Sequence, residues 1–471
     1  MTPEEFRRAG HALIDWIADY RTRVEDLPIM SRAEPGEIRA SLPASPPQDP
    51  EPFADIVRDV DDKIVPGLSH WQHPRFFGYF PANGELSSVL GDFLSTGIGV
   101  LGLSWQSSPA LTELEEVVCD WMRQLLGLSE GWSGVIQDTA STSTLVALIC
   151  ARERSHRYAL AGDGLQGGGA RLVVYTSAQS HSSVEKAALL AGFGRNHVHR
   201  IAVDERYALR LDALDEAIAA DLAAGLLPCA IVATTGTTTT TAMDPLGPLG
   251  ERARAHGMWL HVDAAMAGSA MILPEYRHLW EGIEGADSVV VNAHKWLGVA
   301  FDCSLYYVRS PQHLVRVMST NPSYLQSSVD DRVKNFRDWG IPLGRRFRAL
   351  KLWCLIREQG VRGLQRRLRR DLANAAWLEA AVRARGGWRV LAPVVLQTLC
   401  VRHEPAGISG DELDRHTVDW ASRLNRAGDF YVTSARLDGR WMVRVSVGAM
   451  TTELHHVEAL WKAMQAVAEA G

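Results

Sequence analysis

The sequence predicts an α/β protein built on a mainly parallel sheet, with an N-terminal helical arm and a small C-terminal α+β domain. Three observations carry this. From about Asn83 to Leu350, helical patterns alternate with short β-branched runs such as Arg171-Leu-Val-Val-Tyr-Thr and Cys229-Ala-Ile-Val-Ala-Thr-Thr, the pattern of a parallel sheet covered by helices. Ahead of that region, Phe6, Leu13, Ile14, Ile17 and Tyr20 recur near helical spacing, and seven prolines lie between Pro28 and Pro52. The first pattern reads as an amphipathic helix over 3–24, the second as an extended arm or linker of the kind that embraces a second subunit. Behind it, the runs at 396–402 and 440–446 and a final helix through Trp461 suit a smaller α+β domain. The expected divisions are 1–82, an arm for dimerisation, 83–350, the large domain, and 351–471, the small one.

At 471 residues, 46% hydrophobic and 22% charged, the chain has ample interior for a large core. No apolar stretch approaches the ~20 residues that span a bilayer. The opening Met-Thr-Pro-Glu-Glu-Phe-Arg-Arg lacks the order of a secretory signal, and the six cysteines form no Cys-x-x-Cys pair. These features favour a reducing cytoplasm. A formal charge of −6 gives no general attraction to nucleic acid. The basic runs at 345–348 and 366–370 read as solvated helix faces between apolar positions such as Leu350, Leu352, Leu364 and Leu368.

Ligands of parallel α/β sheets bind at the carboxyl ends of the strands. Here the run Met258-Trp-Leu-His-Val-Asp263 ends in a carboxylate, and Asp287-Ser-Val-Val-Val-Asn-Ala-His-Lys-Trp ends in Asn292, His294 and Lys295. His181 follows Tyr175, and Thr238 lies in the tract Thr234–Thr241. Gly134-Val-Ile-Gln-Asp-Thr-Ala-Ser-Thr-Ser-Thr leads into a helical run, which places amides and hydroxyls at a helix N-terminus suited to phosphate. A strand-end lysine can form a Schiff base with the aldehyde of pyridoxal phosphate, and a neighbouring carboxylate favours the protonated pyridinium. Taken singly, each residue has a plain alternative: Asp263 a buried cap, Lys295 a solvated strand end, His181 a core or capping histidine, the threonine tract a turn. Their joint order favours the cofactor.

Two patterns point elsewhere. Gly162-Asp-Gly-Leu-Gln-Gly167 matches a dinucleotide fingerprint in letters, but precedes a strand and opens no helix, so it reads as a flexible surface loop. The pairs His70/His73 and His197/His199 lack a further ligand cluster, and no metal is expected.

The segments His73-Pro-Arg-Phe-Phe-Gly-Tyr-Phe-Pro81, Ser108-Pro-Ala-Leu-Thr-Glu-Leu-Glu115, His181-Ser-Ser-Val-Glu-Lys186, His261-Val-Asp-Ala-Ala265, Asn292-Ala-His-Lys-Trp296 and Ile341-Pro-Leu-Gly-Arg-Arg-Phe347 carry a family resemblance. Through them the chain resembles the group II pyridoxal phosphate-dependent decarboxylases, and within these the aromatic L-amino acid decarboxylases, including bacterial members that act on DOPA-like substrates. The resemblance runs from near the N-terminus to about residue 465. It implies the type I aminotransferase-like fold with a seven-stranded-type sheet, in a homodimer with active sites at the subunit interface.

Carried over by position, the resemblance makes Lys295 the lysine that holds the cofactor, Asp263 the partner of its pyridinium nitrogen and His181 the residue stacked on its ring. Ala140, Ser141, Asn292 and His294 would lie on the phosphate side, with Thr238 near the ring or the substrate carboxylate. Trp71, Tyr79, Phe80, Pro81 and Leu101 would line an aromatic side-chain pocket, with Leu103 and Leu343 reaching from the other subunit. An ordinary core is the alternative for these apolar residues. Tyr324 would be carried by a mobile loop from the partner subunit to supply a proton to the substrate Cα. Aldehyde synthases of the family have phenylalanine there, so Tyr324 with His181 favours simple decarboxylation over reaction with oxygen to aldehyde, ammonia and peroxide. A catalytically silent dimeric binding protein is the third possibility, opposed by Lys295 and Asp263. The pocket supplies no cation for a distal carboxylate, Arg75 being the nearest in sequence. Gly344 leaves room for an indole, and Ala82 removes a hydroxyl found in many animal enzymes, so DOPA, tyrosine, tryptophan and phenylalanine all stand as substrates.

Overall fold

The computed structural model describes residues 1–167, 169–320 and 328–470. The chain forms two compact units. One comprises 1–81, 377–389 and 401–471; the other comprises 82–376 and 390–400.

The larger unit is organised by a seven-stranded sheet. Its strands are β1 (Ser133–Gln137), β2 (Leu172–Ser177), β3 (Val198–Ile201), β4 (Leu227–Thr234), β5 (Trp259–Asp263), β6 (Ser288–Asn292) and β7 (Ser304–Val308), in the order β1-β7-β6-β5-β4-β2-β3. β7 runs antiparallel to both of its neighbours, with Asn292 opposite Ser304 in one pairing and Gln137 opposite Ser304 in the other. The remaining strands are mutually parallel. β5, β6 and β7 are buried at every position, because helices cover both faces and each side chain, inward or outward, meets protein.

The helix Ala140–Ser155 shows how that cover is built. Val146, Ala147, Cys150 and Ala151 are inaccessible to solvent and share a core with Val174, Val232 and Val290 of the sheet. Small residues at these positions let the helix approach closely. The helix Pro109–Leu126 starts with proline at its first position and ends at Gly127 in the left-handed conformation, the usual asymmetry of helix ends. Its buried positions Leu111, Glu115, Val118, Met122 and Leu126 form one stripe. Glu115 is a carboxylate inside that stripe and requires partners.

In the smaller unit, the N-terminal helix spans Pro3–Arg23, and Thr2 with Glu5 forms a capping box. The proline-rich segment read as lacking regular structure contains one short helix, Glu37–Ser41, which opens on Gly36 at φ +95°. Farther along lie β8 (Trp388–Val390), β9 (Thr398–His403), β10 (Thr433–Leu437) and β11 (Arg440–Ser446), in the sheet order β10-β11-β9-β8; of these strands, Val390 and the first half of β9 belong to the larger unit. The helices Gly410–Ala427 and Leu454–Glu469 accompany them.

Two expectations differ from the structure. The Gly162–Gly167 stretch is part of two short helical pieces, Leu160–Asp163 and Gly164–Gly167, in place of a loop, since local backbone bonds such as Gly164 N–H to the Leu160 carbonyl close its turns. The basic runs are not simply solvated faces. Arg345 and Arg367 are buried, Arg348 pairs with Asp302 at 2.8 Å, and Arg369 pairs with Glu275 at 2.7 Å. Charge periodicity cannot show that acidic partners arrive from distant segments.

Candidate active site

The carboxyl edge of the sheet gathers the chemistry. Asp263 closes β5 and is buried; its Oδ1 accepts from the Ala265 N–H at 3.1 Å, which turns the chain sharply after the strand. His261, two residues earlier on the same face, is inaccessible to solvent. Its Nδ1 meets the Ser288 hydroxyl at 2.8 Å and its Nε2 meets Thr144 at 3.3 Å. Burial pushes His261 down to about 4, so it is neutral and serves to bind the 140–155 helix to β5 and β6.

β6 delivers Asn292 and then a wide helical turn, Ala293–Leu297. Inside it Lys295 departs from helical geometry, at φ −99° and ψ −111°, and its side chain is half-buried. Asn292 Oδ1 accepts from the Ser304 hydroxyl at 2.7 Å, which fixes the orientation of the amide and of its N–H₂ donor. The Cys303 N–H donates to His294 Nδ1 at 2.8 Å. Burial, reinforced by the Lys295 charge, pushes His294 down to about 4. The ring is therefore neutral near pH 7, with its proton on Nε2.

His181 caps the helix Ser182–Leu190, where its Nδ1 accepts from the Ser183 N–H at 3.2 Å. Part of the ring is open to solvent, yet burial lowers its pKa; the Asp263 charge opposes that shift and the Lys295 charge adds to it. Asp263 and Lys295 thus act electrostatically on the same imidazole. Ala140 and Ser141 form the first turn of the 140–155 helix, whose N-cap makes no side-chain bond, so its leading amides and dipole are available to an anion. Thr238 stands exposed at the tip of a turn closed by Gly236 N–H to the Ala242 carbonyl at 2.8 Å and by Thr237 to Thr240 at 2.9 Å.

Of the residues expected to form the aromatic pocket, Trp71, Tyr79, Phe80 and Pro81 belong to the smaller unit. Trp71 stacks between Phe76, at 4.8 Å, and Tyr79, at 5.3 Å. Tyr79 holds φ +50° and is 50% exposed. Arg444 donates to its carbonyl at 2.5 Å and covers the Phe80 ring at 4.3 Å. Positive φ is uncommon for a non-glycine residue, and the Tyr79 ring is held by Trp71 and by Tyr431, at 5.8 Å. Leu101, Leu103, Leu343 and Gly344 belong to the larger unit, where Gly102 N–H donates to the Arg345 carbonyl at 2.9 Å and brings the two stretches side by side. A Cβ on Gly344 would meet Leu101 at 3.4 Å. Tyr324 lies outside the described residues.

Sequence reasoning missed Ser304 and Cys303, which orient Asn292 and His294, and missed Glu115, Arg345 and Asp371. The first two follow from the antiparallel return of β7. Glu115 and Arg345 were visible only as letters of two separate motifs. Asp371 was hidden behind a basic run.

The donor set suits pyridoxal phosphate: a helix N-terminus and neutral donors for the phosphate, a buried carboxylate for the ring nitrogen, an imidazole beside both charges, and a lysine in a turn that departs from helical geometry. Fold and site together define a pyridoxal phosphate-dependent α/β enzyme. The pyridoxal-dependent decarboxylase conserved domain matches residues 35–404. Tyrosine decarboxylase 4 of Petroselinum crispum is 40% identical over 100% of this chain and 94% of its own length. Phenylacetaldehyde synthase of Arabidopsis thaliana is also 40% identical, over 99% of this chain and 96% of its own. The solved structure of Oryza sativa TDC with PLP and tryptamine superposes with a TM-score of 0.97 at 36% identity, covering 100% of this chain and 99% of the other. The chain belongs to the pyridoxal-dependent decarboxylase family.

Proposed function

We propose that this enzyme decarboxylates an aromatic L-amino acid, namely DOPA, tyrosine, tryptophan or phenylalanine, to the arylalkylamine and carbon dioxide. The observation that carries the reading is the convergence of His181, Asp263 and Lys295 at one sheet edge, in a chain of this family. The aromatic surface of Trp71, Tyr79 and Phe80 supports a flat apolar substrate side chain. Arg75, the cation nearest these residues in sequence, is paired with Glu25 at 3.0 Å.

Bound pyridoxal phosphate supplies an aldehyde carbon for amines and a protonated ring that accepts the electron pair left when carbon dioxide departs. Lys295 holds the cofactor between turnovers and yields to the substrate amine. Asp263 keeps the ring nitrogen protonated by placing a negative charge beside it. His181 would pack against the ring, and burial lowers its basicity. Ala140, Ser141, Asn292 and His294 hold the phosphate through amides, a hydroxyl and neutral N–H groups. Their fixed grip orients the substrate so that its Cα to carboxylate bond is the one weakened. Thr238 would face the ring or the substrate carboxylate, and Tyr324 would protonate Cα. The 40% identity to an aldehyde synthase favours oxidative conversion as the second reading.

The helix Leu86–Ile98 exposes Leu86, Leu90, Phe93, Leu94 and Ile98, continued by Leu101. An apolar stripe of that size on a helix supports a homodimer interface, which would bring Leu103, Leu343 and Tyr324 to the partner's site, with 1–82 as an embracing arm. All six cysteines are free thiols and no described helix is long and apolar enough to cross a membrane; we place the enzyme in the cytoplasm.

The test is a product assay. Cofactor-loaded protein is incubated separately with L-DOPA, tyrosine, tryptophan and phenylalanine, and amine, aldehyde and peroxide are quantified. Amine alone supports decarboxylation and ranks the substrates; aldehyde with equal peroxide supports the second reading; no product from any of them rejects both.

A further inference from the structure

The turn that carries Lys295 is anchored from behind by one helix. Trp296 and Asp371 are inaccessible to solvent, and the Trp296 indole N–H donates to Asp371 Oδ2 at 2.9 Å. One turn earlier on the Arg348–Ala384 helix, Arg367 donates from Nη2 to the Leu297 carbonyl at 2.7 Å. Residues 367 and 371 are four apart and so share a helix face, and that face meets the two residues that follow the lysine. The next carbonyl, that of Gly298, accepts from the Glu85 N–H at 2.9 Å, while the Val299 N–H closes back on the Ala293 carbonyl at 3.0 Å. After Lys295, therefore, the Trp296 side chain and the next two carbonyls are each fixed by another element.

A buried ion pair is an expensive way to glue a helix to a sheet, because apolar side chains of similar volume do so at least as well. Arg370 sits 3.1 Å from Asp371 and Arg367 3.9 Å. What these charges provide that methyl groups cannot is direction: hydrogen bonds to a particular indole nitrogen and a particular carbonyl. The beneficiary is a lysine whose own backbone lies outside the helical region.

We propose that Asp371 and Arg367 are positioning residues for Lys295. Through Trp296 and Leu297 they set the direction from which the lysine amine meets the cofactor aldehyde. The inference rests on Lys295 as the cofactor lysine and assigns a role to a buried pair that touches neither cofactor nor substrate.

Two variants test it, Asp371→Asn and Trp296→Phe. Each removes part of the anchor and leaves Lys295 and the phosphate-side groups in place. Apoprotein is mixed with pyridoxal phosphate, and the rate at which visible absorbance develops reports capture by the lysine. Pyridoxamine phosphate, which has no aldehyde, reports the affinity of the site for phosphate and ring without capture by the lysine. The expected result is capture slowed about tenfold or more, with a parallel fall in kcat. KM and pyridoxamine phosphate affinity should stay within about threefold of wild type, a change worth well under the 1.4 kcal/mol of a factor of ten. A lowered melting temperature with wild-type capture rate and kcat would show a merely structural cluster and overturn the proposal. Should Asp371→Asn fail to fold, Trp296→Phe, which leaves every charge in place, decides by the same comparison. Wild-type protein that captures the cofactor but yields no amine would refute the proposed activity and leave the anchor standing.

Discussion

The Glu115 carboxylate accepts from the Ile136 backbone N–H at 2.8 Å and from the Arg345 guanidinium, which itself donates to the Ile136 carbonyl at 2.9 Å. This pair ties the end of β1, just ahead of the Ala140 helix terminus, to the stretch that carries Leu343 and Gly344. Both side chains are almost wholly buried. Glu115→Ala leaves the guanidinium without its counter-charge, and we expect a loss of about 3–5 kcal/mol in urea unfolding. A loss below about 1 kcal/mol would mean that Arg345 finds solvent or another partner.

Lys295→Ala removes the amine on which the proposed cycle depends. The visible absorbance of lysine-bound cofactor should vanish and turnover should fall by at least about a thousandfold. Pyridoxamine phosphate, held by the phosphate-side groups, should still bind. Turnover near wild type would remove Lys295 from its role.

Tyr324→Phe takes away the proposed proton donor for Cα. Amine yield should drop while aldehyde and peroxide appear together. If the variant gives wild-type amine and no aldehyde, another group delivers the proton.

His73 illustrates a pH effect. It accepts from the Arg75 N–H at its Nδ1 and meets the Glu25 carbonyl at its Nε2, and burial pushes it down to about 4. The unfolded chain then binds the proton more readily, so stability is lost as pH falls from about 6.5 toward 4. Between pH 7.5 and 5 the loss from this residue is about 2 kcal/mol. His261 and His294 act in the same direction. Asp244 and Asp371 are raised to about 6 by burial and act oppositely, gaining stability as pH falls through that value. The difference between wild type and His73→Gln isolates the one term: urea unfolding at the two pH values should show the variant's slope reduced by that amount, and equal slopes would contradict it.

The cofactor constellation was legible because strand ends and helix starts are local features. Asp263 closes a short strand, Lys295 follows the end of the β-branched strand β6 by three residues, and Ala140 follows a strand and opens a helix. The supports were not legible, because they depend on pairings between residues far apart in sequence. Glu115 reads as one more helix carboxylate until Arg345, 230 positions away, is placed on it. Asp371, among arginines at 366–370, reads as charge balance on a wet surface, although it meets an indole 75 positions upstream. The reversed direction of β7 was likewise invisible, since a buried strand has the same composition either way round. That reversal brings Cys303 and Ser304 back beside His294 and Asn292.

β7 also decides when the sheet can be completed. β1 lies at the sheet margin with β7 as its neighbour, and β7 links it to β6. A growing polypeptide can assemble β2 to β6 in their parallel order and settle the 140–155 helix on them, but β1 has no strand to join until Ser304–Val308 has been made. The strand that leads into the phosphate-side helix is therefore fixed late, on closure of a single inserted strand. A chain cut before that strand should retain the parallel part of the sheet and its covering helix with β1 left unpaired.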